Sequence, residues 1–320
     1  MERIFSAFDE IKKVIKGKDD IIEQVMLAIL GNGHVLLEDI PGVGKTTLAM
    51  AFSRVLGLNY KRMQFTPDVM PSDVTGFSMY NSSTNSFEYK EGGVMCNLFL
   101  ADEINRTSPK TQSALLEVME EGRVTVDGQT HKIPQPFVVI ATQNPFGSSG
   151  TQKLPQSQMD RFLMCISMGY PDPESEISIL KGSRKDKMDI LEEKLNAPIL
   201  TKIQQAVEEQ YVDESIYSYI VEISNRTRES SNFTLGISPR GSIALLKVAK
   251  AKAFLSRRSY VIPQDIIDIA LIVCAHRVEL SAQAIANGLS AKTALKEILD
   301  ATPMPKISKN PFIGSKSENS

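Results

Sequence analysis

The chain has few residues of the kinds that build metal sites, disulfide frameworks or membrane spans. Its three cysteines and three histidines are scattered over 320 residues, and neither set has the spacing of metal ligands. Scattered cysteines of this kind favour reduced, buried thiols in a cytoplasmic protein. The longest apolar run, residues 266–275, is interrupted by Asp268 and is far shorter than the ~20 residues of a membrane span. We therefore expect a buried helix there and no membrane segment.

An excess of basic residues is also missing, because the formal net charge is −2. That balance gives no electrostatic footprint for nucleic acid or for an anionic membrane. The N-terminus alternates charged and apolar residues at helical spacing, unlike a secretory signal. The remaining composition is that of a globular protein. Its 320 residues are enough for two domains, because one hydrophobic core rarely exceeds about 250 residues.

The most informative segment is HVLLEDIPGVGKTT, at residues 34–47. The apolar run 35–37 predicts a buried strand, the glycines then turn the chain, and helical spacing resumes at Leu48. A strand, a glycine loop and a helix in this order are the setting of a phosphate-binding loop. A chance Pro-Gly turn before a lysine is the simpler alternative.

The residue types in this loop suit phosphate binding. Gly42 and Gly44 would let backbone N–H groups point inward, and Lys45 would reach the β- and γ-phosphates. The hydroxyl of Thr46 would bind Mg²⁺, and the helix N-terminus adds the positive end of its dipole. One position departs from the motif, because Asp39 stands where the first glycine is usual.

Polar residues also follow two strongly apolar runs. Asp102 and Glu103 come directly after the run 97–101, at the strand end that faces the ligand crevice of an open α/β sheet. There Asp102 would hold Mg²⁺, and Glu103 would orient or deprotonate a water. Asn144 follows the run 138–143 and could contact a water or the γ-phosphate. The alternatives are ordinary surface acids and an Asn-Pro turn.

The pattern of elements divides the chain into two parts. Strands alternate with helices up to residue 172, which predicts a parallel α/β sheet with hairpins around 81–85 and at 124–133. The rest predicts a helical domain at 173–300 and a polar, disordered tail at 301–320. The predicted helices of the second part are 173–182, 199–209, 213–228, 239–256 and 263–278.

Seven motifs resemble those of the MoxR family of AAA+ ATPases, in the group that carries a helix-2 insert. They are LLEDIPGVGKT at 36–46, QFTPD at 64–68, PSDVTG at 71–76, LADEINR at 100–106, ATQNP at 141–145, LPQSQMDRF at 154–162 and SPR at 238–240. The resemblance runs in order from the first helices to about residue 300. It implies an AAA+ phosphate-loop NTPase core at 1–172 and a small all-helical lid at 173–300.

The resemblance assigns residues to ATP and Mg²⁺. The residues expected to bind ATP are Ile15, Pro41, Gly42, Val43, Gly44, Lys45, Thr46 and Thr47. Ile15 belongs to the segment 14–17, which falls where the family's N-terminal segment packs by the adenine. Thr46 and Asp102 fall on the Mg²⁺ positions and Glu103 on the catalytic position. Gln64 lies near the place where related proteins keep a polar switch for the glutamate.

Three further residues take catalytic roles by resemblance. Asn144 falls on sensor 1, Arg161 on the arginine finger that completes a neighbouring subunit's site, and Arg240 on sensor 2 of the lid. Arg161 could instead be a structural surface arginine. A cation near a helix start, such as Arg240, is locally unfavourable and needs an anion, for which a phosphate would serve. Residues 77–91 resemble the helix-2 insert and 124–133 the hairpin before sensor 1.

Together these features predict a Mg²⁺-dependent ATPase that works as a homo-oligomeric ring, with a hexamer expected. The resemblance implies chaperone-like remodelling, assembly or activation of partner proteins, often ones with von Willebrand factor A domains. Exposed aromatics of the insert, among them Phe77, Tyr80 and Phe87, contact a client or only pack within the loop. The alternatives are an ATPase subunit of a chelatase-like or DNA-translocating machine, and a nucleotide-gated scaffold with little turnover. Glu103 argues against the scaffold.

Overall fold

The chain forms two compact units, Met1–Val207 and Glu208–Ser320. The first is an α/β unit and the second is mainly helical, as the alternation of elements predicts. The computed structural model describes residues 1–39, 42–144, 154–181 and 188–305.

A five-stranded parallel sheet organises the first unit, in the order β2-β5-β8-β1-β9. Every residue of β5 and β8 is buried, which explains why these strands are continuous apolar runs in the sequence. Parallel pairing brings the carboxyl ends of the strands to one edge, where Gln64 of β2 stands beside Asp102 of β5. The strands are β1 (Val35–Glu38), β2 (Tyr60–Gln64), β5 (Leu98–Asp102), β8 (Val138–Gln143) and β9 (Met164–Ile166).

Helices connect the strands, and their ends follow the signals in the sequence. Helix α3 begins at Lys45, directly after the glycine loop. The N-cap of α5 is Ser108, whose hydroxyl accepts the Thr111 N–H, and Pro109 is its first residue. The helices are α1 (Glu2–Lys12), α2 (Asp19–Leu30), α3 (Lys45–Val55), α4 (Pro71–Thr75), α5 (Pro109–Glu121), α6 (Gln156–Met159), α7 (Pro173–Lys181) and α8 (Ala197–Glu208).

Two hairpins stand outside the main sheet, and both confirm the turn signals in the sequence. The turn of the second has positive φ at Asp127 (48°) and at Gly128 (78°), as a primed two-residue turn requires. The first hairpin carries the predicted insert. Its strands are β3 (Gly76–Asn81) and β4 (Ser86–Glu91), and those of the second are β6 (Arg123–Val126) and β7 (Gln129–Lys132).

The second unit contains three of the predicted helices, those at 213–228, 239–256 and 263–278, together with two helices and a strand pair that were not predicted from the sequence. Strands β10 (Phe233–Leu235) and β11 (Glu279–Leu280) pair antiparallel, so the expectation of an all-helical part needs correction. Segments of three and two residues are too short to show a strand period. The helices are α9 (Glu214–Glu229), α10 (Pro239–Leu255), α11 (Pro263–Cys274), α12 (Ala282–Ala286) and α13 (Ala291–Ala301).

The apolar run at 266–275 lies largely within α11, where Ile266, Ile269 and Val273 are buried. A buried helix is what the run predicts. Among the residues that the structure describes, no helix is long and apolar enough to cross a bilayer.

The predicted boundary at residue 172 differs from the boundary of the compact unit, which reaches Val207. The segment before α8 is tied to the end of α3, because the N–H groups of Lys194 and Leu195 both donate to the Val55 carbonyl, at 2.8 and 3.2 Å. Such a long-range backbone contact leaves no local pattern in the sequence.

The first two residues of the predicted tail, Ala301 and Thr302, belong to the folded part of the chain. Helix α13 continues to Ala301, and Thr302 is buried with its hydroxyl donating to the Ile298 carbonyl at 2.6 Å. Residues 306–320, most of the predicted tail, lie outside the described part of the chain.

Candidate nucleotide site

A cleft of about 300 Å³ opens at the carboxyl edge of the parallel sheet. It brings the glycine loop together with the residues that follow β5 and β8. All of its described lining residues except Arg62 and Gln64 belong to the predicted site. The lining residues are Gly42, Gly44, Lys45, Thr46, Thr47, Arg62, Gln64, Asp102, Glu103 and Asn144.

The two described glycines of the loop stand where the backbone turns through positive φ. Gly42 and Gly44 have φ of +89° and +100°, in the left-handed region that side chains disfavour. Gly44 is the N-cap of α3, so the unpaired N–H groups of the first helical turn lie at the cleft. The ammonium of Lys45 donates to the Asp39 carbonyl at 2.8 Å. Burial lowers the pKa of Lys45, against the opposing effect of the nearby carboxylates.

Hydrogen bonds hold the Asp102 carboxylate on both oxygens. Its Oδ1 accepts from the hydroxyl of Thr142 at 2.7 Å, and its Oδ2 accepts from the guanidinium of Arg62 at 2.7 Å. The Thr142 oxygen in turn accepts the backbone N–H of Glu103 at 2.9 Å. One hydroxyl on β8 therefore fixes the position of both acidic residues at the end of β5.

Glu103 leaves the strand in an unusual conformation. Its φ is +58°, which is uncommon for a residue with a side chain, and backbone strain of this kind clusters at active sites. Its Oε2 accepts from Gln64 at 2.9 Å and from Arg106 at 2.7 Å. The expected position of Gln64 beside the glutamate is thus confirmed, while its role as a switch stays a prediction. Arg62 completes the network by donating to Gln64 at 3.0 Å.

Arg62, Arg106 and Thr142 were missed in the sequence analysis. The signal for Arg62 is its place two residues before Gln64, because alternate residues of a strand point to the same face. Arg106 follows Glu103 by three residues in a 3-10 helix, Ile104–Arg106. Thr142 sits inside an apolar strand, where a threonine is not distinguishable from ordinary core.

The remaining predicted residues of the first unit differ in whether they line the cleft. Asn144 lines the cleft, and its carbonyl accepts from Asn105 at 3.2 Å. Ile15 is buried and is not among the described residues of the cleft lining, so its contact with adenine stays a prediction. Val43 is part of the described loop, while Pro41 lies outside the described residues.

The two predicted arginines lie elsewhere. Arg161 is not among the described residues that line the cleft, and its guanidinium pairs with the Glu120 carboxylate at 2.9 Å. Arg240 is exposed on the second residue of α10, in the second unit. Their catalytic roles stay predictions.

The donor set of the cleft fits a magnesium ion that arrives with a nucleotide. Thr46 and Asp102 offer a hydroxyl and a carboxylate, and Mg²⁺ is usually held by one or two such groups together with phosphate oxygens. In the described part of the chain, no cluster of three or more His, Cys, Asp or Glu side chains could hold a metal by itself.

Family models match both units. The model of the ATPase family associated with various cellular activities (AAA) matches residues 34–164, a range that includes the glycine loop, both carboxylates and Arg161. The model of the AAA lid domain matches residues 225–298, which include Arg240.

Three similar proteins match over nearly the whole chain. The sequence is 37% identical to Chaperone MoxR1 of Mycobacterium tuberculosis, over 96% of this chain and 84% of that protein. It is 49% identical to YeaC of Bacillus subtilis, over 93% and 94% of the two chains. The solved structure of a candidate ATPase from Cytophaga hutchinsonii aligns with a TM-score of 0.87 at 36% identity, over 95% and 96%.

Proposed function

Because this chain belongs to the MoxR family of AAA+ ATPases, we propose that it couples Mg²⁺-dependent ATP hydrolysis to chaperone-like remodelling of partner proteins. The chain is an ATPase with an AAA+ fold. The observation that carries the proposal is the meeting of the glycine loop, Lys45 and the Asp102–Glu103 pair in one cleft. A glycine loop and its lysine bind phosphates, and a carboxylate beside them can act as the base that deprotonates the attacking water.

The residues of the cleft divide the reaction among them. The N–H groups of the loop and the Lys45 ammonium bind the phosphates. Thr46 and Asp102 would hold Mg²⁺, which neutralises phosphate charge when it is bound. Glu103 accepts a proton from the water whose oxygen attacks the γ-phosphorus, while the bond to the ADP oxygen breaks. Asn144 orients that water from the end of the adjacent strand.

The proposed assembly is a ring of identical subunits, with six expected. In such a ring, a neighbouring subunit would supply the cation that stabilises the charge of the transition state. Arg161 pairs with Glu120 rather than lying among the described residues of its own cleft. An arginine on the outside of one subunit can reach the nucleotide of the next, as an arginine finger does. Arg240 would serve as sensor 2 of the lid.

The insert hairpin offers a surface for a protein client. Phe77, Tyr80 and Phe87 are 48%, 51% and 75% exposed, and the rings of Tyr80 and Phe87 pack edge to face. Exposed aromatics on one hairpin are more than scattered surface residues and favour a protein contact. Proteins with von Willebrand factor A domains are the proposed clients, and nucleic acid is not. A cytoplasmic location is part of this proposal, since three widely spaced cysteines, Cys96, Cys165 and Cys274, do not have the pattern of a disulfide framework.

Two matched variants test this function. We expect Lys45→Ala to lose ATP binding, and Glu103→Gln to bind ATP while losing turnover. Steady-state hydrolysis with and without Mg²⁺ and ATP titrations of each protein measure these effects. Equal ATP affinity for the wild type and Lys45→Ala would remove the phosphate-loop assignment.

The same variants test remodelling. Glu103→Gln should stay loaded with ATP, so it should retain client proteins in a pull-down that Lys45→Ala does not retain. Capture of the same proteins by both variants, with or without ATP, would contradict the coupling of client binding to the nucleotide.

A further inference from the structure

Asp39 is a buried carboxylate at the start of the phosphate loop, where a glycine is usual. It is 8% exposed, and it is not among the described residues with positive φ, so the backbone accepts a side chain there. Its Oδ2 accepts the N–H of Gly169 at 2.7 Å and the hydroxyl of Ser167 at 3.2 Å. Since a buried carboxylate is costly without hydrogen bonds, this contact fixes the loop to the chain that follows β9.

Lys18 also binds the chain that follows β9, through backbone carbonyls. The ammonium of Lys18, which is the N-cap residue of α2, donates to the carbonyls of Met168 and Tyr170 at 2.5 and 2.7 Å. It also donates to the Gly169 carbonyl at 3.5 Å. Residues 167–170, here called the post-β9 segment, therefore donate an N–H and a hydroxyl to an anion and accept from a cation through three carbonyls. Hydrogen bonds to charged groups are about twice as strong as neutral ones.

The sheet order indicates which part of a nucleotide lies near this segment. The carboxylates follow β5, which stands two strands from β1 on one side, while β9 stands beside β1 on the other. A triphosphate in the loop with its γ-phosphate toward Asp102 and Glu103 would direct its nucleoside toward the β9 side. This step rests on the proposed ATP site.

We propose that Asp39 and Lys18 are positioning residues that fix the post-β9 segment against the phosphate loop and so set the nucleoside end of the site. The carbonyl of Asp39 also accepts from Lys45, so this one residue contacts both the phosphate-binding lysine and the post-β9 segment. Where a glycine would leave the loop conformationally free, the Asp39 carboxylate links the phosphate loop to the post-β9 segment.

Calorimetric titration with two ligands separates this role from general damage to the loop. ATP uses both ends of the site, whereas tripolyphosphate uses only the loop. In a full-length Glu103→Gln background, we expect Asp39→Ala to raise the Kd of ATP about tenfold and to leave that of tripolyphosphate within about twofold. Asp39→Asn keeps an acceptor for the Gly169 N–H and should recover most of the loss.

Lys18→Met should act in the same direction, because it releases the same segment. If the segment moves as one element, the double variant Lys18→Met with Asp39→Ala should bind ATP scarcely more weakly than the weaker single variant. Melting temperatures show which variants are folded.

Two results would overturn the proposal. One is an Asp39→Ala or Asp39→Gly variant that binds ATP as tightly as its parent. The other is an equal loss of ATP and tripolyphosphate affinity, which would mean a damaged loop. A Glu103→Gln parent that binds no ATP at all would instead contradict the proposed function.

Discussion

At the scale of single residues, Thr142 holds both acidic residues of the site in position. It is fully buried on β8, donates to Asp102 and accepts from the N–H of Glu103. A valine of the same shape would leave a carboxylate oxygen and an N–H without this partner. We therefore predict that Thr142→Val lowers the free energy of unfolding by about 1–3 kcal/mol and slows ATP turnover.

Urea denaturation and steady-state kinetics measure both effects. Thr142→Ser keeps the hydroxyl and is the matched control, so it should recover turnover more than stability. Unchanged turnover in a folded Thr142→Val variant would show that this hydroxyl does not position the carboxylates.

The lowered pKa of Lys45 gives a second prediction at this scale. Burial shifts it below the ordinary 10.5, and a bound phosphate would raise it again by favouring the charged form. As the pH rises toward the ordinary lysine pKa of 10.5, a growing part of the free protein would carry a neutral Lys45, and that part would take up a proton when ATP binds.

Calorimetry in buffers of different ionisation enthalpy measures this uptake, which should grow as the pH rises. Lys45→Arg is the control, because an arginine stays charged throughout this range. The same proton uptake in the wild type and in a Lys45→Arg variant that binds ATP would assign it to another group.

The cleft residues that carry a local signal were predictable from the sequence. Gly42, Gly44 and Lys45 form a motif, and Glu103 ends an apolar strand beside its partner carboxylate. Arg62 reaches Asp102 only through the pairing of β2 with β5, which no local pattern specifies.

At the scale of elements, an aromatic stack joins the two hairpins. The rings of Tyr89 on β4 and His131 on β7 lie 3.8 Å apart at 11°. The Tyr89 hydroxyl donates to the Thr75 carbonyl at 2.6 Å, which fixes its ring against the end of α4. Movement of one hairpin would therefore be transmitted to the other.

A double-mutant cycle tests this link. Tyr89→Phe keeps a ring, whereas Tyr89→Ala and His131→Ala each remove one member of the stack. We predict a coupling free energy of about 0.5–1.5 kcal/mol between the two alanine substitutions, measured by chemical denaturation. Additive effects within error would mean that the stack does not join the hairpins.

Elements with strong local signals were predictable. The hairpin predicted at 124–133 lies where the sequence places it, with Asp127 and Gly128 in its turn. The strands β10 and β11 were not, because their pairing depends on contacts between distant segments and not on their own two or three residues.

At the scale of the whole molecule, the chain separates into two units, and all described lining residues of the cleft belong to the first. The change from strands to helices at residue 172 is a real feature of the sequence, but compactness depends on which segments pack together. Lys194 and Leu195 are hydrogen-bonded to Val55 at the end of α3, so they belong to the first unit.

In the proposed ring, Arg161 of one subunit completes the catalytic site of its neighbour. An arginine finger is worth roughly 10³–10⁵ in rate, or about 4–7 kcal/mol of transition-state stabilisation. Lys45→Ala would have a defective pocket with an intact finger, and Arg161→Ala the reverse. Each variant should therefore be nearly inactive by itself.

Hydrolysis by mixed oligomers of these two variants tests the claim most directly. The two chains should carry different affinity tags and be co-expressed, so that oligomers containing both can be purified. The control mixes each variant with a Lys45→Ala/Arg161→Ala chain, which creates no complete site. We predict that activity partly returns only in the first mixture, because some interfaces then pair an intact pocket with an intact finger. Purified mixed oligomers that stay as inactive as either parent would show that Arg161 acts within its own subunit or is structural.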